Sequence, residues 1–400
     1  MKNNRTFLEK LLDGAEVEWK PLGDVCNFQN GFAFKSSLFK DNGAPIVRIT
    51  NIDGKEVNLS DVKYFLLDDY NTDMTPYKVH KGDILIAMSG ATTGKIGFYN
   101  YEHPSYLNQR VGKFLPNTNI LNNRYLYHYL LSKVEDIYII SGGGAQPNLS
   151  SNRLMSEVLI PIPPLSVQTE IVKILDALTA LTSELTSELI LRQKQYEYYR
   201  EKLLSHNDSE NSSQQKVDKD KLFSTSNIQW LHLNEIYKFQ YGIGNKIPTI
   251  GGEYPVYGSN GIVGSHNEYN SEDAPVIGHI GAYAGIVNWA EGKHFVTYNG
   301  IICNKINDNV NSRYAYYLLL SQNFIDKANK ASQPFISYDI LNKCIVPVPP
   351  IEEQQRIVSI LDKFETLTNS ITEGLPLAIE QSQKRYEYYQ ELLLNFPGRE

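Results

Sequence analysis

The chain has 400 residues, a formal net charge of −7 and 42% hydrophobic residues, which favours a globular protein of two or three domains. No apolar run reaches the roughly 18 residues that a membrane span needs, and the three cysteines are too few and too far apart for a disulfide framework or a zinc knuckle. We therefore expect a reduced, cytoplasmic protein.

An internal repeat organises the chain. Residues 161–165, Pro-Ile-Pro-Pro-Leu, recur as residues 347–351, Pro-Val-Pro-Pro-Ile, and the residues after each copy also match. Residues 9–12, Glu-Lys-Leu-Leu, are identical to residues 201–204, so the chain begins with the end of a further copy. Such self-similarity indicates a duplicated structural unit whose starting point is circularly shifted.

In chain order, the sequence predicts an alternation of globular and helical segments. They are an N-terminal helical segment (1–16), a first globular domain (17–160), a first long helix (161–205), a flexible linker (206–227), a second globular domain (228–346) and a second long helix (347–395).

Two kinds of pattern support this division. The globular segments contain short apolar runs, such as 84–86 and 301–303, between glycine- and asparagine-rich turns, which predicts strands. The helical segments carry apolar residues at steps of three and four, the spacing of a coiled coil. A lone helix cannot bury such a stripe, so we expect an antiparallel pair. The predicted fold class is α+β: two globular α/β domains alternating with two long helices that pair as an antiparallel coiled coil, in a pseudo-two-fold repeat.

Two local features distinguish the helices. Gly374 and Pro376 predict a kink or break in the second one, because neither residue suits a helix interior. In the first helix the tetrapeptide Thr-Ser-Glu-Leu occurs twice in succession, at residues 182–189.

This layout resembles the specificity (S) subunit of type I restriction–modification enzymes. The resemblance rests on a signature at the start of each helix: a proline pair, an aliphatic residue, a glutamine and an Ile-Leu-Asp triplet. The signature residues are Pro163, Pro164, Leu165, Gln168 and 174–176 in the first copy, and Pro349, Pro350, Ile351, Gln354 and 360–362 in the second. The first copy departs at Val167, where the second has Glu353. The tandem tetrapeptide is a further similarity, and the resemblance covers nearly the whole chain.

The resemblance implies a function. Such subunits bind double-stranded DNA, with one target-recognition domain on each half of an interrupted sequence. They assemble with two methyltransferase (M) subunits and, through them, with restriction/translocase (R) subunits. The S subunit itself is non-catalytic, so S-adenosylmethionine, ATP and Mg²⁺ are expected on the partner subunits and no cofactor or metal on this chain.

Base contacts require polar side chains on exposed loops, and glycine allows the backbone to approach phosphates closely. Candidates in the first domain are Lys35, Arg48, Thr92, Thr93, Lys95, Asn108, Gln109 and Arg110. Candidates in the second domain are Gln240, Lys246, Tyr257, Ser259, Asn260, His279, Tyr283 and Asn299. Two of the loops are rich in glycine, at residues 89–95 and 257–261.

Partner contacts are expected on the helices. The globular segments are close to neutral, whereas the helical segments carry most of the acidic excess, which suits a protein partner. The chain has 27 tyrosines, and a matching cluster of them ends each helix. The candidate partner-binding residues are Tyr196, Tyr198, Tyr199, Tyr386, Tyr388 and Tyr389. At helical spacing these rings favour packing at an interface over stacking on bases.

Two other functions stay open at this point. Asp273, Glu291 and Lys293 resemble the metal-binding triad of a nuclease, although the other half of the chain has no equivalent. Cleavage by the purified chain with magnesium would distinguish that enzyme. A coiled-coil adaptor that does not bind DNA is the second alternative.

Overall fold

The computed structural model describes residues 7–142, 147–205, 228–244, 251–329 and 332–396. The predicted linker 206–227 and Lys246 lie outside the described residues. The chain contains both helices and sheets, as predicted, and divides into two compact units. Unit 1 combines Met1–Leu185 with Ile379–Glu400, and unit 2 is Thr186–Ala378.

Unit 1 contains the first globular domain. Its helices are α1 (Phe7–Leu12), α2 (Leu22–Val25), α3 (Asn123–Ser132), α4 (Val134–Ile140), α5 (Ser151–Glu157) and the first part of α6 (Leu165–Leu204). Its strands are β1 (Glu18–Pro21), β2 (Cys26–Asn30), β3 (Ala44–Val47), β4 (Lys63–Phe65), β5 (Lys78–Val79), β6 (Ile84–Ala87), β7 (Ile96–Phe98), β8 (Ser105–Leu107), β9 (Val111–Pro116) and β10 (Leu159–Ile162).

The strands of unit 1 form two four-stranded sheets, in the orders β2-β9-β6-β7 and β4-β3-β8-β5, and a separate two-stranded ladder, β1-β10. The apolar run that predicted β6 is fully buried, as expected for a central strand covered on both faces. In the second sheet β3 and β8 are parallel, so their carboxyl ends lie side by side.

Unit 2 contains the second globular domain and the remainder of α6. Its strands are β11 (Gln229–His232), β12 (Tyr237–Tyr241), β13 (Tyr254–Gly258), β14 (Gly261–His266), β15 (Ser271–Gly278), β16 (Val287–Val296), β17 (Gly300–Lys305) and β18 (Ile345–Val348). Its helices are α7 (Leu233–Ile236), α8 (Ser312–Ser321), α9 (Phe324–Lys327), α10 (Tyr338–Asn342), α11 (Ile351–Asn369) and the start of α12 (Leu375–Leu394).

Six strands of unit 2 form one sheet, in the order β12-β17-β15-β16-β13-β14, and β11-β18 is a separate ladder. The two ladders correspond to each other, because Trp19 pairs with Pro161 in one and Trp230 with Pro347 in the other. In both units a tyrosine hydroxyl bonds the carbonyl of that proline at 3.0 Å. The sequence repeat is therefore a repeat of structure.

The long helices begin and break where the prolines and glycine predict. The helix α6 begins directly after Pro163-Pro164, because proline fits a first turn. The second helix is interrupted between α11 and α12. Gly374 has a φ of +85°, and a Cβ there would lie 2.6 Å from the Thr366 carbonyl oxygen, so only glycine fits this break.

Within unit 1, α6 and α12 run antiparallel. The hydroxyl groups of Thr182 and Ser382 are 2.8 Å apart, and His128 contacts both Asp176 and Tyr386. Residues further along α12 therefore lie beside residues earlier in α6, as expected for antiparallel helices. The chain start joins the same core, where Leu8 is buried with the end of α12. Within the described ranges, no helix is long and apolar enough to cross a membrane.

Candidate nucleic-acid interface

A buried glutamine fastens the first globular domain to the start of α6. The Oε1 atom of Gln168 accepts a hydrogen bond from the backbone N–H of Asn122 at 2.7 Å. Its Nε2 atom donates to the carbonyl oxygens of Ile120, at 2.9 Å, and Pro163, at 2.8 Å. An amide side chain suits this position because it both accepts and donates. The signature glutamine therefore has a structural role.

The second copy of the signature makes the same contacts. Gln354 accepts from the N–H of Asn311 at 2.7 Å and donates to the carbonyls of Asn309, at 3.1 Å, and Pro349, at 2.8 Å. Asn122 and Asn311 are also matched, because each caps the helix that follows, α3 or α8. Each globular domain is therefore held on its long helix in the same way.

An ionic network strengthens this junction in unit 1. Asp176 on α6 accepts hydrogen bonds from Arg124 and from the buried His128, whose Nε2 lies 2.7 Å away. The other ring nitrogen of His128 faces the Tyr386 hydroxyl at 3.0 Å, and Gln390 donates to that hydroxyl. Burial lowers the pKa of His128, and its hydrogen bond to Asp176 opposes this only in part. Burial acts to raise the pKa of Asp176, but hydrogen bonds from His128 and Arg124 lower it to about 2.

Unit 2 uses a tyrosine in place of the histidine. The Tyr317 hydroxyl lies 2.5 Å from Asp362 and 2.7 Å from Glu365, and Arg313 pairs with both carboxylates. Burial raises the pKa of Tyr317 well above its usual value, so the hydroxyl stays a donor. The two junctions therefore share an arginine–aspartate pair and differ at His128, which is Tyr317 in unit 2, and by the additional carboxylate of Glu365.

A short glycine loop in the first domain, residues 89–95, is held in a fixed conformation. Gly90 and Gly94 have φ angles of +81° and +86°, which favour glycine. The Gly90 N–H donates to the Pro147 carbonyl at 3.1 Å, and the Gly94 N–H donates to the Ala87 carbonyl at 2.9 Å. The Thr93 N–H closes a turn on the Gly90 carbonyl at 3.1 Å.

The second domain contains the same loop at residues 280–286. Gly281 and Gly285 have φ angles of +97° and +95°. Their N–H groups donate to the carbonyls of Pro334, at 2.9 Å, and Gly278, at 2.8 Å, and the Ala284 N–H closes the turn on Gly281 at 3.0 Å. We call residues 89–95 and 280–286 the first and second glycine loops.

Other loops lie beside the first glycine loop. The Asn108 N–H donates to the Val47 carbonyl at 3.0 Å, and the Met88 N–H donates to the Arg110 carbonyl at 2.8 Å. The Thr92 hydroxyl reaches the Ile49 carbonyl at 3.4 Å. The segments 48–50, 89–95 and 108–110 therefore form one surface, at the edge where the parallel strands β3 and β8 end.

The second domain places equivalent segments together. The Thr297 N–H donates to the Tyr257 carbonyl at 3.0 Å, and the His279 N–H donates to the Asn299 carbonyl at 2.8 Å. These bonds match those of Asn108 and Met88, and β13 and β16 are likewise parallel. Segments 258–260, 279–285 and 297–299 therefore form the corresponding surface.

The two surfaces share a backbone frame but carry different side chains. The matched pairs are Arg48 with Gly258, Met88 with His279, Thr92 with Tyr283, and Arg110 with Asn299. Arginine suits guanine, and asparagine suits adenine, in the major groove. A shared frame with different functional groups is what two modules need to bind different base sequences.

The first-domain candidates differ in accessibility. Gln109 and Arg110 are exposed on this surface, and Arg48, Thr92 and Lys95 are half-buried in it. Thr93 and Asn108 are buried, and the Thr93 hydroxyl lies 2.7 Å from the Gly90 carbonyl, so these two side chains shape the loops. Lys35 is exposed, and its backbone N–H donates to the Tyr70 hydroxyl at 2.9 Å.

The second-domain candidates divide similarly. Asn260 and Tyr283 are exposed on the surface, Ser259 and Asn299 are half-buried in it, and Gln240 is exposed on the edge strand β12. Tyr257 and His279 are buried inside the domain. Burial lowers the pKa of His279, and the hydrogen bond to the Tyr298 carbonyl opposes this.

Sequence reasoning missed two exposed residues of the second surface. Tyr298 is 42% exposed and Ile243 is 59% exposed, and the Tyr298 N–H donates to the Gly244 carbonyl at 2.9 Å. Tyr257 and Tyr283 were candidates from the sequence, whereas Tyr298 and Ile243 were not. The sequence signal that could have identified Tyr298 is its position directly before the candidate Asn299.

A partly buried cation in the first surface lacks a partner. The Nε atom of Arg48 is inaccessible to solvent and makes no hydrogen bond within the described part of the chain. Arg48 directly precedes Ile49, whose carbonyl faces Thr92. A guanidinium without an acceptor in this position suits a bound anion.

The helix tyrosines separate into packed and exposed groups. Tyr196 is buried, Tyr199 stacks on Phe364 at 5.6 Å while 36% of it stays exposed, and Tyr386 bonds His128. Tyr389 packs against the core of unit 1. The remaining matched pair is exposed: Tyr198 by 57% and Tyr388 by 60%.

Two side chains of the nuclease-like triad, Asp273 and Lys293, have other contacts. Asp273 accepts the Gly292 N–H at 2.7 Å and shapes the β15–β16 hairpin, and the Lys293 ammonium lies 4.7 Å from the centre of the Tyr269 ring. No group of three or more His, Cys, Asp or Glu side chains within the described ranges is placed to hold a metal ion. The geometry therefore favours a structural role for Asp273.

Comparisons with known proteins agree with this arrangement. The family model for the type I restriction modification DNA specificity domain matches residues 15–195 and 233–381. A Haemophilus influenzae protein whose name assigns it as a type I restriction enzyme specificity subunit is 40% identical, over 99% of this chain and 100% of that protein. The Escherichia coli EcoR124I/EcoR124II specificity subunit is 32% identical, over 99% and 98%. The crystal structure of an S subunit from M. genitalium has the same fold, with a TM-score of 0.60 and 18% identity over 96% of this chain and 98% of that one.

Proposed function

The chain belongs to the family of type I restriction–modification DNA specificity subunits, and from this we propose that each globular domain binds one half of an interrupted DNA target. The observation that carries the proposal is the pair of matched surfaces around the glycine loops. The backbone hydrogen bonds of the glycine loops and of the strand ends beside them correspond, whereas the side chains that the two surfaces present differ. Two half-sites of different sequence would require this combination.

The DNA contacts are proposed for the accessible residues of these surfaces. In the first domain they are Arg48, Thr92, Lys95, Gln109 and Arg110. In the second domain they are Ser259, Asn260, Tyr283 and Asn299, with Tyr298 added from the structure. Arg110 is exposed and its backbone is fixed by Met88, so its guanidinium suits a bidentate contact to guanine. Asn299 occupies the matched position in the second domain.

Partner docking is proposed for the long helices. Tyr198 and Tyr388 occupy equivalent positions, and both rings are mostly exposed although large aromatic side chains are usually buried. Two equivalent exposed sites suit two copies of one partner, which we propose to be the methyltransferase subunits. Restriction/translocase subunits would join through them. S-adenosylmethionine, ATP and Mg²⁺ would be bound by these partners.

Methylation mapping tests the proposal. The chain is produced with a type I methyltransferase subunit of the same organism in a host that lacks adenine methylation, and methylated adenines are mapped genome-wide. The expected motif is two short specific sequences separated by unspecified bases, with one methylated adenine in each half on opposite strands.

Two results would contradict it. Methylation that is unchanged when the chain is omitted would exclude a specificity role, and a continuous motif would exclude two separate DNA-binding domains. The alternatives have their own signatures: magnesium-dependent cleavage by the purified chain for a nuclease, and no sequence-dependent DNA binding for an adaptor.

A further inference from the structure

The apex of each glycine loop has two adjacent backbone N–H groups without an acceptor. In the first loop the N–H groups of Ala91 and Thr92 make no hydrogen bond within the described residues, although those of Gly90, Thr93 and Gly94 are all used. Ala91 is exposed, so the apex is open to a ligand.

The second loop repeats this arrangement. The N–H groups of Ala282 and Tyr283 have no acceptor within the described ranges, whereas Gly281, Ala284 and Gly285 all donate. Water can satisfy exposed turn amides, so one such turn would indicate nothing. Here, however, the Gly-Ala-x-x-Gly frame and its unused donors recur, while the residues beside them differ between the domains.

Cations without partners lie beside the first loop. Arg48 has a buried Nε that makes no hydrogen bond, and the half-buried Lys95, at the end of the loop, has no carboxylate within 4.0 Å in the described part of the chain. Adjacent N–H groups in a glycine turn form a concave site for an anion, and nearby cations favour the same ligand.

We propose that each glycine loop binds one phosphate of the DNA backbone through its two apical N–H groups. This inference rests on the proposed DNA-binding function and assigns these loops a role independent of base sequence. The shared loops would fix the position of each domain on its half-site, and the differing side chains beside them would contact the bases. Arg48 and Lys95 would strengthen the first phosphate contact, whereas Gly258 and Ile286 stand at the matched positions of the second.

Proline substitution tests the role of the N–H groups. Ala91 and Ala282 each occupy the second position of the turn, which proline suits, so Ala91→Pro and Ala282→Pro each remove one donor. Ala91→Val and Ala282→Val add bulk but keep the donor and serve as controls. Each variant is assembled with methyltransferase subunits, and its binding to a target duplex and to an unrelated duplex is measured.

The expected result is a uniform loss of affinity. A hydrogen bond to a charged group contributes about 1.5–3 kcal/mol, so each proline variant should bind both duplexes about tenfold or more weakly, with an unchanged methylation motif. The valine variants keep the donor and should therefore lose clearly less affinity than the proline variants. A proline variant that binds like its valine control would overturn the proposal, as would a loss confined to the target duplex or a changed motif.

A second measurement does not depend on the variants folding. Single methylphosphonate linkages, which are neutral, are placed along the target duplex and scanned against the unaltered assembly. One sensitive linkage at the same position of each half-site is expected, and a scan with no such pair would refute the phosphate contacts. If the unaltered assembly showed no preference for the target duplex, the proposed function itself would fail instead.

Discussion

Replacing Gln168 with leucine should selectively weaken the junction between the first globular domain and α6. Leucine has a similar volume but makes none of the three hydrogen bonds of the glutamine side chain. At about 1 kcal/mol for each lost bond, and more for any group left buried without a partner, unit 1 should lose about 3 kcal/mol or more of unfolding free energy.

Tryptophan fluorescence can follow this unit separately. Trp19 belongs to unit 1, whereas Trp230 and Trp289 belong to unit 2. In a background of Trp230→Phe and Trp289→Phe, urea unfolding monitored by Trp19 reports on unit 1. The control is Gln383→Leu, an exposed glutamine on α12 in the same unit, which should shift stability by less than about 0.5 kcal/mol.

One result would contradict the role of Gln168 at the junction. If Gln168→Leu shifts the free energy of unfolding no more than Gln383→Leu does, the three hydrogen bonds do not hold the junction. Gln354→Leu, monitored by the tryptophans of unit 2 in a Trp19→Phe background, should reproduce the loss, because its contacts are the same.

Three further predictions concern partners, pH and spacing. Tyr198→Ala and Tyr388→Ala should each weaken the binding of a methyltransferase subunit, measured by titration calorimetry, without lowering the melting temperature. Unchanged affinity would exclude these two residues as docking positions. Because burial lowers the pKa of His128, its stabilising contribution is present above about pH 6.5 and is lost as the pH falls towards the lowered value. His128→Tyr, which copies Tyr317, should flatten this part of the stability–pH profile of unit 1, and an unchanged profile would contradict the assignment. Deleting residues 186–189 shortens α6 by about one helical turn, or about 6 Å. The methylated motif should then keep both specific halves and lose one or two bases of the spacer between them. An unchanged spacer in an active assembly would refute a role of α6 in spacing.

Much of the architecture could be predicted because it is encoded in spacing. The paired signatures located both helix starts, and Gly374 located the break between α11 and α12. The segments that make up unit 1 were harder to predict, because residues 379–400 join this unit from the far end of the sequence. The only sequence signal was the similarity of residues 9–12 to 201–204, which indicated a shifted repeat but no contacts.

The candidate site was less predictable, because residue type does not reveal accessibility. Thr93 and His279 have suitable functional groups, yet the first bonds a loop carbonyl and the second is buried. Gln168 was recognised as a signature residue, but two of its three contacts are with the Asn122 N–H and the Ile120 carbonyl, 46 and 48 residues away in the chain, which spacing cannot reveal. The exposed Tyr298 was missed and the buried Tyr257 was chosen, because the sequence does not show which tyrosines are exposed.

Exchange of one globular domain tests the central claim most directly. Residues 17–160 are replaced by the first domain of another family member whose target is known, and the methylated motif of the assembly is mapped before and after. Because each domain is proposed to bind its own half-site, one half of the motif should change to the donor's half-site while the other half stays the same. A change in both halves, or in neither, with methylation retained, would contradict independent recognition by the two domains.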